Sequence, residues 1–311
     1  MYIVTGATGH IGNNVVRYLT SLGIPVKVLV RKLDPSLENL NVNVCISPYF
    51  DDTFLDINIA EGDIIIHCAA YIDLMNRDLF QSYRTNVQLT KKLVNIAIKK
   101  KNRFVYLSSV DVLPRSKKGL IKEPLDLSIY KSKSYYKTTK SIATKYVMNA
   151  LHQGLDGMIL YPSAVVGIHD YKPSAAGREL LHIINHKVIF SLRGGYNFID
   201  VQDIAKAVYQ ASISSVNDHI ILSGHDITIR ELYEKVSHLT KQSKWIFPLP
   251  TLLVRFAIMF SKTYSQMMIT TIHENYHYDH QKMTEVLGIS PTPLDDTLLK
   301  TIKWLDQHYP K

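Results

Sequence analysis

Thr5-Gly6-Ala7-Thr8-Gly9-His10-Ile11-Gly12 follows directly on an apolar Tyr2-Ile3-Val4, and its order reads as strand, glycine-rich turn and helix. Gly6 permits the tight turn and Gly9 lets backbone N–H groups approach a phosphate. Gly12 lets the helix expected over residues 10–22 lie close to the strand. The positive end of that helix then faces a pyrophosphate. Glycine spacing alone is a weak signal. Between an N-terminal strand and a helix it is a dinucleotide-binding signature, which makes Gly6, Thr8, Gly9, His10, Ile11 and Gly12 candidate cofactor-binding residues.

Outward from this stretch the first half alternates short apolar runs with longer helical ones. Strands are expected at 2–5, 25–30, 43–47, 63–68, 103–108 and 157–161. Helices are expected at 10–22, 76–100 and 134–152. Runs such as Asp63-Ile64-Ile65-Ile66-His67-Cys68 suit a parallel sheet covered on both faces. The pattern is α/β, a Rossmann-type doubly wound parallel sheet. After Pro162 short strands near 188–191, 197–201 and 218–222 mix with helices near 203–213, 228–241, 250–261 and 293–307. The expected division is a dinucleotide-binding Rossmann domain over 1–162 and a smaller substrate-binding lobe over 163–311. That lobe is mixed, mainly helical, with segments crossing back to the first domain.

Nearly half of the 311 residues are hydrophobic and a fifth are charged, as in ordinary globular chains. The first strand begins at about residue 2, so no N-terminal signal is expected. The apolar run from Leu252 to Phe260 holds Arg255 and is too short to span a bilayer, so no membrane association is expected. Cys45 and Cys68 sit in strand-like surroundings and read as reduced thiols of a cytoplasmic protein.

The net charge is +9, and much of it is local. Arg115, Lys117, Lys118, Lys122, Lys131, Lys133, Lys137, Lys140 and Lys145 face only Glu123 and Asp126 within residues 115–145. Such a run is either a field attracting an acidic substrate or phosphorylated cofactor, or a solvated loop and helix face, and the second is favoured. No nucleic-acid motif accompanies it. His67 has no second ligand at metal spacing, so it is read as a sheet filler and no metal site is expected.

Catalytic chemistry points to Tyr136-Lys137-Thr138-Thr139-Lys140. Spacing of four puts Tyr136 and Lys140 on one helix face, one turn apart. A phenol of ordinary pKa is a poor acid–base catalyst at neutral pH, and a neighbouring ammonium stabilises its anion. The same spacing recurs at Tyr278 and Lys282, where it follows no sheet strand facing a cofactor and reads as structural. The pair at 136–140 instead follows Phe104-Val105-Tyr106-Leu107-Ser108-Ser109, a strand whose carboxyl end carries hydroxyls where doubly wound folds place ligands. Ser109 is the candidate partner for a substrate carbonyl oxygen, and Ser108 is given a backbone role.

Together these residues resemble the extended short-chain dehydrogenases/reductases of the NAD-dependent epimerase/dehydratase superfamily, over nearly the whole chain. His67-Cys68-Ala69-Ala70 resembles the family's segment beneath the adenosine and pyrophosphate, which implies cofactor roles for Ala69 and Ala70. Asn86-Val87 resembles its helix-borne asparagine, with bracing of a helix start as the bland alternative for Asn86. Tyr161-Pro162-Ser163-Ala164-Val165-Val166-Gly167 resembles the segment beside the nicotinamide, which implies contacts from Pro162 and Ser163. Phe198-Ile199-Asp200-Val201-Gln202-Asp203-Ile204-Ala205, Leu287-Gly288 with Pro291, and Thr301-Ile302-Lys303-Trp304 resemble its C-terminal signatures. By the same resemblance Ser109, Tyr136 and Lys140 are catalytic, and Tyr136 and Lys140 also touch the cofactor.

The second strand, Val26-Lys27-Val28-Leu29-Val30, ends at Arg31-Lys32, where an acidic residue would bind the ribose 2′-hydroxyl of NAD. Two cations there favour the 2′-phosphate of NADP(H), with NAD(H) left open and Asp34 close enough to blur the choice. The expected reaction is reduction of a small-molecule ketone or aldehyde, with Tyr136 as proton donor. The alternatives are a nucleotide-sugar epimerase/dehydratase and a non-catalytic cofactor-sensing regulator. Val110-Asp111-Val112-Leu113-Pro114 lacks the Tyr-Gly ending usual in sugar-nucleotide members, and Pro162-Ser163 replaces their asparagine. Those departures resemble the dihydroflavonol 4-reductase and 3β-hydroxysteroid dehydrogenase branch. Residues 111–134 and 168–178 (His169, Tyr171, Arg178) are expected to rim the substrate pocket, with Tyr71, Tyr196 and Phe198 as lining candidates. A homodimer through helices 76–100 and 134–152 is mildly preferred to intramolecular packing alone.

Overall fold

A computed structural model describes residues 1–73, 75–115, 119–129, 132–250 and 271–310. The helix expected at 250–261, the apolar run with Arg255, and Lys117, Lys118 and Lys131 fall outside the described residues.

The large sheet is built from β1 (Tyr2–Thr5), β2 (Val26–Val30), β3 (Val42–Ile46), β4 (Ile64–His67), β5 (Arg103–Leu107) and β6 (Gly157–Pro162). The smaller elements β7 (Ala164–Val166), β8 (Val188–Ser191) and β9 (Gly195–Asp200) follow. β10 (Asp218–Leu222) then returns to the large sheet as its seventh strand. The order is β3-β2-β1-β4-β5-β6-β10, and every pairing is parallel. The chain reverses its direction of growth between β1 and β4, which opens a crevice at their carboxyl ends.

Helices cover both faces, which is why the central strands are apolar throughout. α1 (His10–Ser21) packs with α7 (Val201–Ile213) on one face, where Val15, Val16, Leu19, Ile204 and Val208 bury against Val4, Val28 and Ile66. α4 (Leu89–Lys99) and α5 (Tyr135–His152) cover the other, with Leu93, Val94, Val147 and Met148 against Ile65, Phe104 and Tyr106. The helix expected from residue 76 starts later, as α3 (Leu79–Tyr83), and runs through a wider π turn at Arg84–Gln88 into α4. Asp78 caps α3 through the Gln81 N–H, while Asp73 accepts from the Met75 and Asp78 N–H groups and holds the preceding loop. A short α2 (Asp52–Asn58), capped by Asp51, was not expected.

Beyond residue 162, α7 and β10 return to the large sheet, the helix covering it and the strand extending it. A separate core gathers Leu180 and Ile183 of α6 (Ala175–Asn185), Leu232 and Val236 of α8 (Ile229–Leu239), and Ile302 and Trp304 of the terminal helix Leu294–His308. Its strands are β7, β9 and β11 (His225–Thr228) in one sheet, and β8 with β12 (Trp245–Pro248) in another. No described helix is long and apolar enough to cross a membrane.

Candidate active site

The glycine-rich turn leaves β1 at the reversal point. Gly6 has φ +74°, and a Cβ there would stand 2.5 Å from the Ala69 nitrogen. Gly12 is bound as tightly, since its Cβ would fall 2.2 Å from the Gly6 carbonyl oxygen. Gly9 is different: its Cβ would meet only the Gly6 oxygen, at 3.4 Å. Gly9 caps α1 without a side-chain hydrogen bond, so the N–H groups of His10, Ile11 and Gly12 have no intrahelical acceptor. The helix therefore presents uncompensated donors and the positive end of its dipole to the cleft.

That cleft encloses about 300 Å³ and is lined by Gly6, Thr8, Gly9, Val30, Arg31, Tyr49, Ala69, Ala70, Gln81, Arg84 and Lys172, among others. Arg31 lines it, whereas Lys32 is exposed beyond its lining. Sequence reasoning missed Tyr49, Gln81, Arg84 and Lys172. Arg84 lies over the Tyr49 ring, 5.4 Å from its centroid, a contact between distant loops with no local pattern to announce it. The His10 imidazole turns away to the Ile168 carbonyl (3.1 Å), leaving its backbone N–H as the group available to a phosphate. Asn86 accepts from the Tyr71 N–H (2.8 Å) and donates to the Tyr71 carbonyl and Thr139 Oγ1, tying the loop after β4 to α5.

A larger hollow of about 470 Å³ between α2 and α4 holds none of the candidate residues. Its acids and lysines pair with each other, Lys92 with Asp52 and Lys99 with Asp56.

Ser109 and Tyr136 come together where β5 ends beside the first turn of α5, and Lys140 follows one turn on along the same helix. Ser109 Oγ accepts the Asp111 N–H (3.1 Å) and stands beside the Tyr136 phenol. Burial first, and Asp111 second, push the Tyr136 pKa above that of an ordinary phenol, while Ser109 works the other way. Lys140 Nζ donates to the Leu107 carbonyl (2.6 Å) and lies 4.3 Å from the Tyr106 ring centroid. Burial pushes it down to about 7. The ammonium expected to lower the phenol does not do so. In this arrangement Lys140 is spent on Leu107 and Tyr106, and desolvation dominates at Tyr136. Ser108 bonds Thr144 and takes no part.

His67 is a sheet filler held at both ring nitrogens, by Thr5 Oγ1 (2.7 Å) and Thr90 Oγ1 (2.9 Å), and burial lowers it to about 3. Among the described residues no cluster of three metal-ligating side chains occurs. Cys45 and Cys68 are free thiols.

Where it is described the basic run is divided: Lys122 and Lys133 are exposed, as a solvated face would be, whereas Lys137 and Arg115 are drawn into ion pairs. Lys137 is buried between Asp111 (3.3 Å) and Glu274 (3.2 Å), and Arg115 bridges the same two acids. Lys122 pairs with Asp279 and Lys145 with Asp126. The second tyrosine–lysine spacing is dispersed by the same contacts, with Tyr278 on Arg115 and Lys282 on Asp218 (2.6 Å). Phe198 and Tyr196 pack into the core of the smaller layer, with rings 5.4 Å apart.

These features fit a dinucleotide. An uncapped helix end and three cations meet an anion, and the buried Ser163 Oγ has no partner of its own. Comparison with known proteins agrees with that fit. The chain is 27% identical to a putative dihydroflavonol 4-reductase of Synechocystis, over 99% of this chain and 95% of that one. It is 23% identical to sterol demethylase protein B of Methylococcus capsulatus, over 97% of each. The solved structure of a nucleoside-diphosphate-sugar epimerase from Pseudomonas aeruginosa superimposes with a TM-score of 0.81 at 23% identity, covering 99% of this chain and 98% of that one. The family model for NAD dependent epimerases/dehydratases matches residues 2–221, and the chain belongs to that family.

Proposed function

We propose that this protein reduces a ketone or aldehyde to the alcohol with NADP(H). The observation that carries the reading is the juxtaposition of Ser109 and Tyr136, with Ser109 oriented by the Asp111 N–H and Lys140 one helical turn further on. The nicotinamide, when bound, supplies the hydride. Tyr136, kept protonated by its buried setting, gives its proton to the carbonyl oxygen, and Ser109 donates to the same oxygen as charge develops there. Lys140, one helical turn on and held by the Leu107 carbonyl, would reach the cofactor rather than the phenol. The N–H groups of His10, Ile11 and Gly12 hold the pyrophosphate, Arg31 serves the 2′-phosphate, and Pro162 and Ser163 bound the nicotinamide end.

The likeness to a putative dihydroflavonol 4-reductase supports net reduction, and the free thiols suit a reducing, cytoplasmic setting. The likeness to a nucleoside-diphosphate-sugar epimerase supports the competing reading, in which reduction is transient. NADPH consumption across aromatic and aliphatic aldehydes, ketones, ketosteroids and flavanonols separates them. Turnover of a nucleotide sugar with no net change in cofactor overturns the reductase reading.

A further inference from the structure

Asp34 lies four residues beyond β2, close to where an acidic side chain would accept the ribose 2′-hydroxyl of NAD. In this chain its carboxylate is already engaged. Oδ1 accepts the Ser36 N–H (3.1 Å) and Oγ–H (2.7 Å), capping the turn Pro35–Leu37. Oδ2 accepts Lys172 Nζ at 2.5 Å. Burial works against the Asp34 charge, yet Lys172 and Ser36 hold its carboxyl below the usual range.

Lys172 arrives from far along the chain on a strap, residues 167–174, that is fastened along α1. Asn14 Nδ2 donates to the Ile168 carbonyl (2.9 Å), and Asn14 Oδ1 lies 3.1 Å from His169 Nδ1. Arg17 donates to the Tyr171 hydroxyl (3.0 Å), and the Tyr171 ring meets Trp304 edge-on at 5.3 Å. On the far side, Asp170 accepts the Ser174 N–H (2.8 Å) as α6 begins. The strap is thus fixed on both sides of Lys172, whose side chain lines the cleft together with Arg31 and Arg84.

We propose that Lys172 sets this cleft's preference for a 2′-phosphorylated adenosine, by neutralising Asp34 and by sharing the phosphate with Arg31. The proposal rests on the NADP(H) reading above. A free carboxylate at Asp34 would repel a phosphate and welcome a ribose diol. An ammonium has three donors, and Asp34 takes one of them. The lysine is mostly exposed although the carboxylate is not, so the pair adds little to stability, and its effect falls on the ligand.

Calorimetric titration of 2′,5′-ADP and 5′-AMP tests this without turnover, on wild type, Lys172→Met, Lys172→Met with Asp34→Asn, and Arg31→Glu. Wild type should bind 2′,5′-ADP the more tightly. Lys172→Met should weaken 2′,5′-ADP by about tenfold, the size of one charge-assisted hydrogen bond, with 5′-AMP unchanged. Adding Asp34→Asn should recover part of that loss, because the uncovered carboxylate is gone. A selective loss below about threefold, an equal loss on both ligands, or no recovery in the double variant overturns the role of Lys172. If Arg31→Glu alone abolishes the preference, the NADP(H) reading stands without Lys172. If wild type binds both ligands equally, the NADP(H) reading itself falls.

Discussion

The Lys140 ammonium donates to the carbonyl oxygen of Leu107 across 2.6 Å, in a site closed to water. Burial carries its pKa from 10.5 down to about 7. Between those values the unfolded chain holds one more proton than the folded chain, so the folded state gains stability as pH rises through that window. Below it both states are protonated and the burial cost is paid in full. Lys140→Met removes the group. The variant's stability relative to wild type should therefore fall by roughly 4 kcal/mol between pH ~6 and pH ~10, read from paired thermal melts. Parallel melting curves over that range contradict the assignment.

Tyr136→Phe deletes only the phenolic oxygen beside Ser109. Turnover should drop on the order of a hundredfold or more, while NADPH affinity by fluorescence titration stays near wild type. An active variant would show that the proton comes from elsewhere.

Gly9 and Gly12 separate the two uses of the loop. Gly12→Ala would place a methyl 2.2 Å from the Gly6 oxygen, so α1 must move, and a loss of about 2 kcal/mol in denaturant melts is expected. Gly9→Ala meets ordinary contact distance and should melt like wild type, yet bind NADPH more weakly, because its methyl intrudes where a phosphate approaches. Equal effects at the two positions contradict this division.

Arg31→Glu reverses the charge at the cleft wall beyond β2. NADPH affinity should fall by about tenfold or more and NADH affinity should hold or rise. Equal affinities for both cofactors before and after the change contradict the NADP(H) assignment.

The large sheet was legible because its strands are mostly apolar runs, and because Gly6 and Gly12 stand where a Cβ cannot fit. Ser109 and Tyr136 could be paired from the sequence because a strand end and a helix start are fixed points in a doubly wound fold. What escaped was long-range. Lys172 reaches Asp34 across 138 residues, and Glu274 reaches Lys137 across 137, with no periodicity linking them. The fate of Lys140 escaped for another reason: spacing gives a helix face, not the strength of desolvation or the carbonyl of Leu107 that captures the amine. α2 is only seven residues long, too short for helical periodicity to register.

Net hydride transfer is the central claim, and deuterium tests it most directly. The protein is incubated with NADPH deuterated at the transferring position of its nicotinamide ring and a carbonyl substrate found in the panel, and the product is weighed by mass spectrometry. The account predicts an alcohol carrying one deuterium, formed in equal amount to NADP+ and at a rate about a hundredfold or more lower with Tyr136→Phe. A nucleotide-sugar product formed without net NADP+, or an unlabelled alcohol, contradicts it.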